Sequence, residues 1–315
     1  MKRSFIFILA TIIIFGCSYE PKENSSSNNN ITEADYRDKE LTELPQEIFK
    51  LSNISSLDLS KNKLRTIPDE LSMLSKLQKI NLSQNEFSEF PYELLNLKEL
   101  KTLNLGINNL KTIPEEIGKL ISLTTLILWN NEISELPVNI NLLSNLETLN
   151  LNFNKLKDLP EGFVNITTLK SLKLGDNNFD KFPEETYSFS NLEELSYYGQ
   201  HFGEISQKIG NLKKLKYINF SNSGLRFLPN EFFNLTQLDW LDLSGNDLSE
   251  ISSEVRNLTE LTYLSLFNNP KLSFLPDEMA QLTKLELLEL KGCSFSDEEK
   301  NRIKKLLPWC DVYFE

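Results

Sequence analysis

The chain has 315 residues, with 45 acidic against 33 basic side chains and a formal net charge of −12. That acidic balance excludes a nucleic-acid binder, which needs basic stripes. One histidine, His201, and three cysteines, Cys17, Cys293 and Cys310, are too few for metal clusters or histidine-dependent catalysis, so no cofactor, no metal and no enzymatic activity is expected.

The first element is MKRSFIFILATIIIFGC, in which Lys2 and Arg3 precede an apolar run from Phe5 to Phe15. A charged start before a short apolar stretch reads as a signal peptide, residues 1–16. A membrane span wants about 20 apolar residues, more than this run supplies. The run ends in Ile14-Phe15-Gly16-Cys17, which resembles the lipobox of bacterial lipoproteins. The resemblance implies cleavage before Cys17 and acylation of its sulfur. Buried acyl carbons contribute about 0.8 kcal/mol each, so more than one chain gives stable anchoring. The alternative is an ordinary secretory signal with an incidental cysteine. Residues 17–30, rich in Ser and Asn without apolar periodicity, read as a flexible tether.

From residue 31 to 295 the chain is periodic. Asn62, Asn85, Asn108, Asn131, Asn154 and Asn177 are 23 residues apart, and the same step reaches Gln200, Ser223, Asn246 and Asn269. After an inserted Pro270 the equivalent position is Cys293. Around each marker runs L-x-x-L-x-L-x-x-N-x-L, as in LKTLNLGINNL at 100–110. This pattern resembles the leucine-rich repeat family. Two leucines two residues apart face one side of a strand. One such strand cannot bury them alone, whereas parallel stacking makes a continuous core. The asparagine amide is suited to satisfy the backbone of adjacent turns. A recurrent apolar-Pro pair, such as Ile67-Pro68 and Ile113-Pro114, is mostly followed by Glu. Pro at the first helical position and an early acid predict a short helical or 3₁₀ turn on the outer face.

The fold class expected is therefore α/β: a curved stack of about 12 parallel strands, roughly 55 Å long at the usual strand spacing. The resemblance implies a right-handed solenoid with this sheet on its concave side. ITEADYRDKEL at 31–41 reads as the N-terminal cap. Residues 296–315, FSDEEKNRIKKLLPWCDVYFE less its first residue, read as a C-terminal cap. There Ser296 and Glu299 make an S-x-x-E capping box. Ile303, Leu306 and Leu307 share a helical face, and Val312 and Phe314 alternate like a last strand. Cys293 and Cys310 flank this helix and are disulfide candidates in an exported chain. The alternative is that Cys293 fills an asparagine slot and Cys310 packs as a small hydrophobe.

Outward strand positions carry what the core does not dictate. One column runs Ser56, Lys79, Thr102, Thr125, Thr148, Ser171, Glu194, then Tyr217, Trp240, Tyr263 and Leu287. It turns aromatic for three consecutive repeats. With Tyr198 and Phe267 from a column further along the same face these rings are expected to form one exposed patch, fringed by Glu194, Asp242 and Glu289. Rings at that density mark partner surfaces. The acidic fringe favours a protein partner with basic residues, stacked on the rings. Equally, cross-strand aromatics stabilise a sheet. A smaller cluster at Ile107, Ile127, Trp129 and Phe153 either extends this site or stands apart. Gln200 and Ser223 in the ladder, Ser206 and Ser252 in place of proline, and Tyr197 and Phe220 in place of core leucines predict local distortion between about 195 and 255.

These readings together imply a monomeric, lipid-anchored, protein-binding protein of the bacterial envelope. Its location is expected at the outer membrane, with adhesion or host interaction as a role the family resemblance suggests. The alternative is a periplasm-facing scaffold or spacer without a dedicated ligand.

Overall fold

The computed structural model describes residues 31–315, and each repeat contributes one three-residue strand. The signal peptide, the Cys17 lipidation site and the tether lie outside the described residues. The strands are β1 (Glu33–Asp35), β2 (Ser56–Asp58), β3 (Lys79–Asn81), β4 (Thr102–Asn104), β5 (Thr125–Ile127), β6 (Thr148–Asn150) and β7 (Ser171–Lys173). They continue as β8 (Glu194–Ser196), β9 (Tyr217–Asn219), β10 (Trp240–Asp242), β11 (Tyr263–Ser265), β12 (Leu287–Glu289) and β13 (Asp311–Tyr313). All thirteen form one sheet in sequence order, and every pairing is parallel. Twelve strands are those of the repeats. The thirteenth is the tail segment around Val312.

The leucine pattern produces this architecture directly. Leu57 and Leu59, like their counterparts Leu103 and Leu105, have no exposed surface. Their side chains fill the interior between the sheet and the return path. That return path is a 3₁₀ turn of five residues in most repeats, such as Glu115–Lys119. Proline stands one residue earlier than the helix-start reading placed it. It precedes the turn in extended conformation, and its carbonyl accepts the first bond of the turn, as from Ile117 N to Pro114 O at 3.0 Å. Proline has no N–H to lose there and presets the backbone angle the turn requires.

The ladder asparagines complete the interior. Asn131 Nδ2 donates to Leu105 O at 3.0 Å and Leu128 O at 2.9 Å, and its Oδ1 accepts from Leu110 N at 3.0 Å. One amide thus satisfies backbone groups in its own repeat and the one before. The expected disturbance near 195–255 stays in this ladder and in the turn after β8, where Gly203 N donates to Ser223 O at 3.1 Å, while the strand pairing Glu194–Tyr217–Trp240 keeps its register. Gln200 Nε2 still reaches Leu174 O at 2.8 Å. Ser223 Oγ makes only two contacts of 3.2 Å, to Tyr197 O and Ser221 O. Beneath them, Tyr197 and Phe220 replace leucines by packing against Phe182 and Phe202 at ring separations of 4.9–6.0 Å. The Tyr197 hydroxyl donates to Lys181 O at 2.9 Å, so the larger side chain leaves no polar atom stranded.

The C-terminal cap opens with a helix, α1 (Asp297–Leu306), ahead of β13. Ser296 Oγ accepts from Glu299 N at 3.2 Å, which is one half of a capping box. The other half is redirected, because the Glu299 carboxylate accepts from Leu275 N at 3.1 Å in the last repeat. Arg302 holds Glu299 at 2.7 Å within α1, pairs with Asp277 of the last repeat, and lies over the Phe274 ring at 4.5 Å. The cap is therefore fastened to the solenoid by charge as well as by the buried Ile303 and Leu307.

The candidate disulfide is not formed, and both thiols are free. Cys293 occupies the asparagine slot, and its Sγ donates to Leu266 O at 3.1 Å. Burial pushes the Cys293 thiol up, and burial and Asp311 push the Cys310 thiol to about 11. Neither is a reactive thiolate at neutral pH.

Candidate functional site

The concave face is the outer side of the sheet, where alternate strand residues project away from the leucine core. Its first column follows the strand register: Glu194 pairs with Tyr217, Tyr217 with Trp240, and Trp240 with Tyr263. Parallel strands in register put these side chains one strand apart. The result is a stack of three nearly coplanar rings. Tyr217 and Trp240 have centroids 4.1 Å apart at 7°, and Trp240 and Tyr263 4.8 Å apart at 8°. All three are half-buried.

This geometry corrects how the patch presents itself. Both faces of Trp240 are covered by its neighbours, so the stack shows ring edges to the open side. A cation cannot lie over the face of Trp240, which is where the ring quadrupole attracts it. Burial pushes the Tyr217 and Tyr263 phenols above the usual tyrosine range. Tyr263 is also held up by the Glu289 carboxylate, to which its hydroxyl donates at 2.6 Å.

Tyr198 belongs to a second group. Its ring contacts Phe153 at 5.9 Å, and Phe153 contacts Trp129 at 6.4 Å, both edge-on. The smaller cluster thus reaches toward the larger one through Tyr198. Two glycines make this possible. A Cβ on Gly106 would overlap the Trp129 ring, and one on Gly175 would overlap the Tyr198 ring. Each ring lies in the recess left by a glycine 23 residues earlier, a spacing of one repeat that is visible in the sequence. Ile107 and Phe153, both with φ of 55°, add apolar side chains in a left-handed conformation. At that conformation a β-branched residue such as Ile107 is a steric outlier.

Phe267 does not join the patch. It is 42% exposed and makes no ring contact among the described residues. The residue 23 positions before it is Ser244, not glycine, so no recess receives the ring.

The second outward column carries the turn chemistry of the face. Asn104, Asn150, Asn219 and Asp242 each accept from the backbone N–H two residues later, at 2.8–3.1 Å. These are Asx turns that lead the chain off each strand. Glu194 in the first column is neutralised by Lys173 at 2.7 Å and accepts from Ser171 Oγ at 2.6 Å. Asp242 and Glu289 have no ion pair among the described residues. Burial pushes the Asp242 carboxyl above the usual range, and the nearby Glu289 adds to this. His201 is exposed, and no group of three or more metal-ligating side chains occurs among the described residues. No described helix is long and apolar enough to cross a membrane.

Similar proteins share this architecture. A family described as "Leucine-rich repeat region" matches residues 114–206 and 200–307, and "Leucine rich repeat" matches 37–87. A leucine-rich repeat protein of Leptospira interrogans is 29% identical over 94% of this chain and 100% of its own, with a TM-score of 0.53. An internalin of Listeria monocytogenes is 25% identical over 91% of this chain and 83% of its own, with a TM-score of 0.77. A chain from a complex of latrophilin 3, Unc5D and the leucine-rich repeats of FLRT2 is 24% identical over 88% of each chain, with a TM-score of 0.69, a likeness of fold alone. No curated protein matches the chain. The repeat pattern, the strand-per-repeat sheet and these matches agree, and the chain belongs to the leucine-rich repeat family.

Proposed function

We propose that the protein is a lipid-anchored binding protein of the bacterial envelope that docks another protein on its concave sheet. The fold typically mediates protein–protein interaction, and this reading places the contact on Tyr217, Trp240 and Tyr263. The carrying observation is the three-ring stack on an open sheet face where the equivalent positions of β4, β5 and β6 are Thr102, Thr125 and Thr148. Aromatic anchors are the residues that dominate protein interfaces. The row from Trp129 through Phe153 to Tyr198 extends the same surface toward the N-terminal repeats.

Cys17 as the anchor rests on the lipobox resemblance, and placement at the cell surface on the likeness to an internalin. Labelled palmitate is expected to enter the wild-type chain and not Cys17→Ser. Protease treatment of intact cells is expected to release the solenoid. Protection until the outer membrane is permeabilised would instead indicate a periplasm-facing scaffold.

The docking reading is tested with full-length protein as bait on surface extracts. Tyr217→Ala/Trp240→Ala/Tyr263→Ala is expected to lose the captured partner while remaining folded by circular dichroism. Unchanged capture together with a lowered Tm would assign the stack to sheet stability.

A further inference from the structure

We infer that the partner's contact at this face is a segment bearing arginine or lysine, whose cation is held by Asp242 and Glu289 beside the ring stack. This rests on the docking reading above and names the chemistry of the partner there.

Charge complementarity selects the occupant. The concave face carries three acids near the rings, and they are not equivalent. Glu194 already has Lys173 at 2.7 Å, and both of these side chains are well covered. Asp242 and Glu289 have no Lys or Arg within ion-pair distance among the described residues. Each instead spends one oxygen on a neutral or backbone donor: Asp242 Oδ1 on Ser244 N at 2.8 Å and Glu289 Oε2 on the Tyr263 hydroxyl at 2.6 Å. Among the described residues the other oxygen of each carboxylate accepts no further hydrogen bond. They flank Ser265 in one column, since Ser265 pairs with Asp242 on one side and Glu289 on the other. A serine between them supplies no charge to offset theirs.

The ring stack narrows the choice further. Its exposed edges carry the positive end of the ring quadrupole and hold no cation by themselves. Attraction must come from the carboxylates, with the rings supplying an apolar wall for the side-chain stem. Arginine and lysine have that form, a charged head on a hydrocarbon stem. An acidic partner would meet two uncompensated like charges on a chain of net charge −12, and like charges brought together at an interface suppress association. Arginine is favoured over lysine because its planar fork takes two carboxylate oxygens at once and is more weakly hydrated.

The test uses the full-length chain and two fluorescein-labelled peptides of equal length, one with four arginines spaced by Gly-Ser and one with four glutamates in the same places. Anisotropy titrations are expected to show the arginine peptide binding, with affinity falling as salt rises, and the glutamate peptide not binding. Asp242→Asn/Glu289→Gln keeps shape and the Tyr263 contact but removes the charge, and is expected to weaken the arginine peptide about tenfold. Glu70→Gln/Glu99→Gln, with the same charge change outside the strands, is expected to leave affinity within twofold of wild type. The inference is overturned if wild type does not bind the arginine peptide, if the glutamate peptide binds as well, or if the two double variants behave alike. The docking reading would survive each of those results, because it is decided separately by capture with the ring variant.

Discussion

Repeats β4–β6 and repeats β8–β11 are built on the same 23-residue frame and differ in what they hide and what they show. In the first group the ladder residue is always asparagine, the interior is leucine and isoleucine apart from Phe163, and the first outward column is threonine. In the second, serine and glutamine enter the ladder, aromatic rings enter the interior, and the outward column becomes a stack of rings. The strand register does not change between them. Backbone pairing and core volume therefore tolerate wide substitution, and the open face is free to diverge. The second region pairs weaker ladder bonding with more ring packing beneath, a trade that unfolding can measure.

The sharpest test of that trade is at equivalent ladder positions. Asn131→Ala removes two donors to buried carbonyls and one acceptor of a buried N–H, so it is expected to cost about 3 kcal/mol or more. Ser223→Ala removes one hydroxyl whose contacts are at the long end of the range, and is expected to cost about 1 kcal/mol or less. Urea unfolding of the two variants measures both. Equal losses would show that the aromatic interior does not compensate for the poorer ladder.

A smaller effect separates the two ways a ring is seated on the face. Gly175→Ala puts a Cβ into the space of the Tyr198 ring and is expected to cost about 1–3 kcal/mol through overpacking. Ser244→Ala, at the corresponding place before Phe267, is expected to stay within about 0.5 kcal/mol. If both are neutral, the glycine recess is not what holds Tyr198 against Phe153.

Most of this architecture is legible in the sequence because the step of 23 fixes it. Once Asn62 and Asn85 are aligned, every strand and every outward column follows, including the row Tyr217, Trp240, Tyr263. Three things were not legible, each for a physical reason. Ring orientation depends on torsions that register does not set, so the edge-on presentation of Trp240 and the grouping of Tyr198 with Phe153 emerged only in three dimensions. The thiol of Cys293 had two satisfactory fates, and the ladder carbonyl of Leu266 took it. The distortion expected from Gln200 and Ser223 did not reach the strands, because backbone bonds between β8 and β9 do not pass through those side chains.

The open face also predicts a pH effect of modest size. Burial and Glu289 raise the Asp242 carboxyl in the folded chain. A group whose folded pKa lies above its unfolded value favours the folded state when protonated, and that contribution is lost as pH rises through the folded pKa. At pH 7 Asp242 is therefore a net liability to stability. Asp242→Asn, which keeps an oxygen for Ser244 N, is expected to raise Tm slightly at pH 7. The difference should disappear below the usual aspartate range, where the wild-type side chain is protonated in both states. Thermal melts at pH 7 and pH 3 check the sign, and a lower Tm for the variant at pH 7 would mean that an unseen cation already compensates the charge.

The smallest effect is expected at Phe267, and it bears most directly on where the surface ends. Phe267 is aromatic and on the same face, so composition alone groups it with Tyr263. Among the described residues it makes no ring contact, it has no glycine recess behind it, and it is 42% exposed. Phe267→Ala then removes surface already in water, and is expected to change unfolding free energy by less than about 0.5 kcal/mol. Tyr198→Ala removes a ring that sits on Gly175 and touches Phe153, and is expected to cost more, about 1–2 kcal/mol from lost ring contact and burial. Measured side by side by chemical denaturation, these two substitutions separate rings the solenoid supports from a ring it merely displays. A cost at Phe267 as large as that at Tyr198 would extend the supported surface past β11 and undo the boundary drawn here.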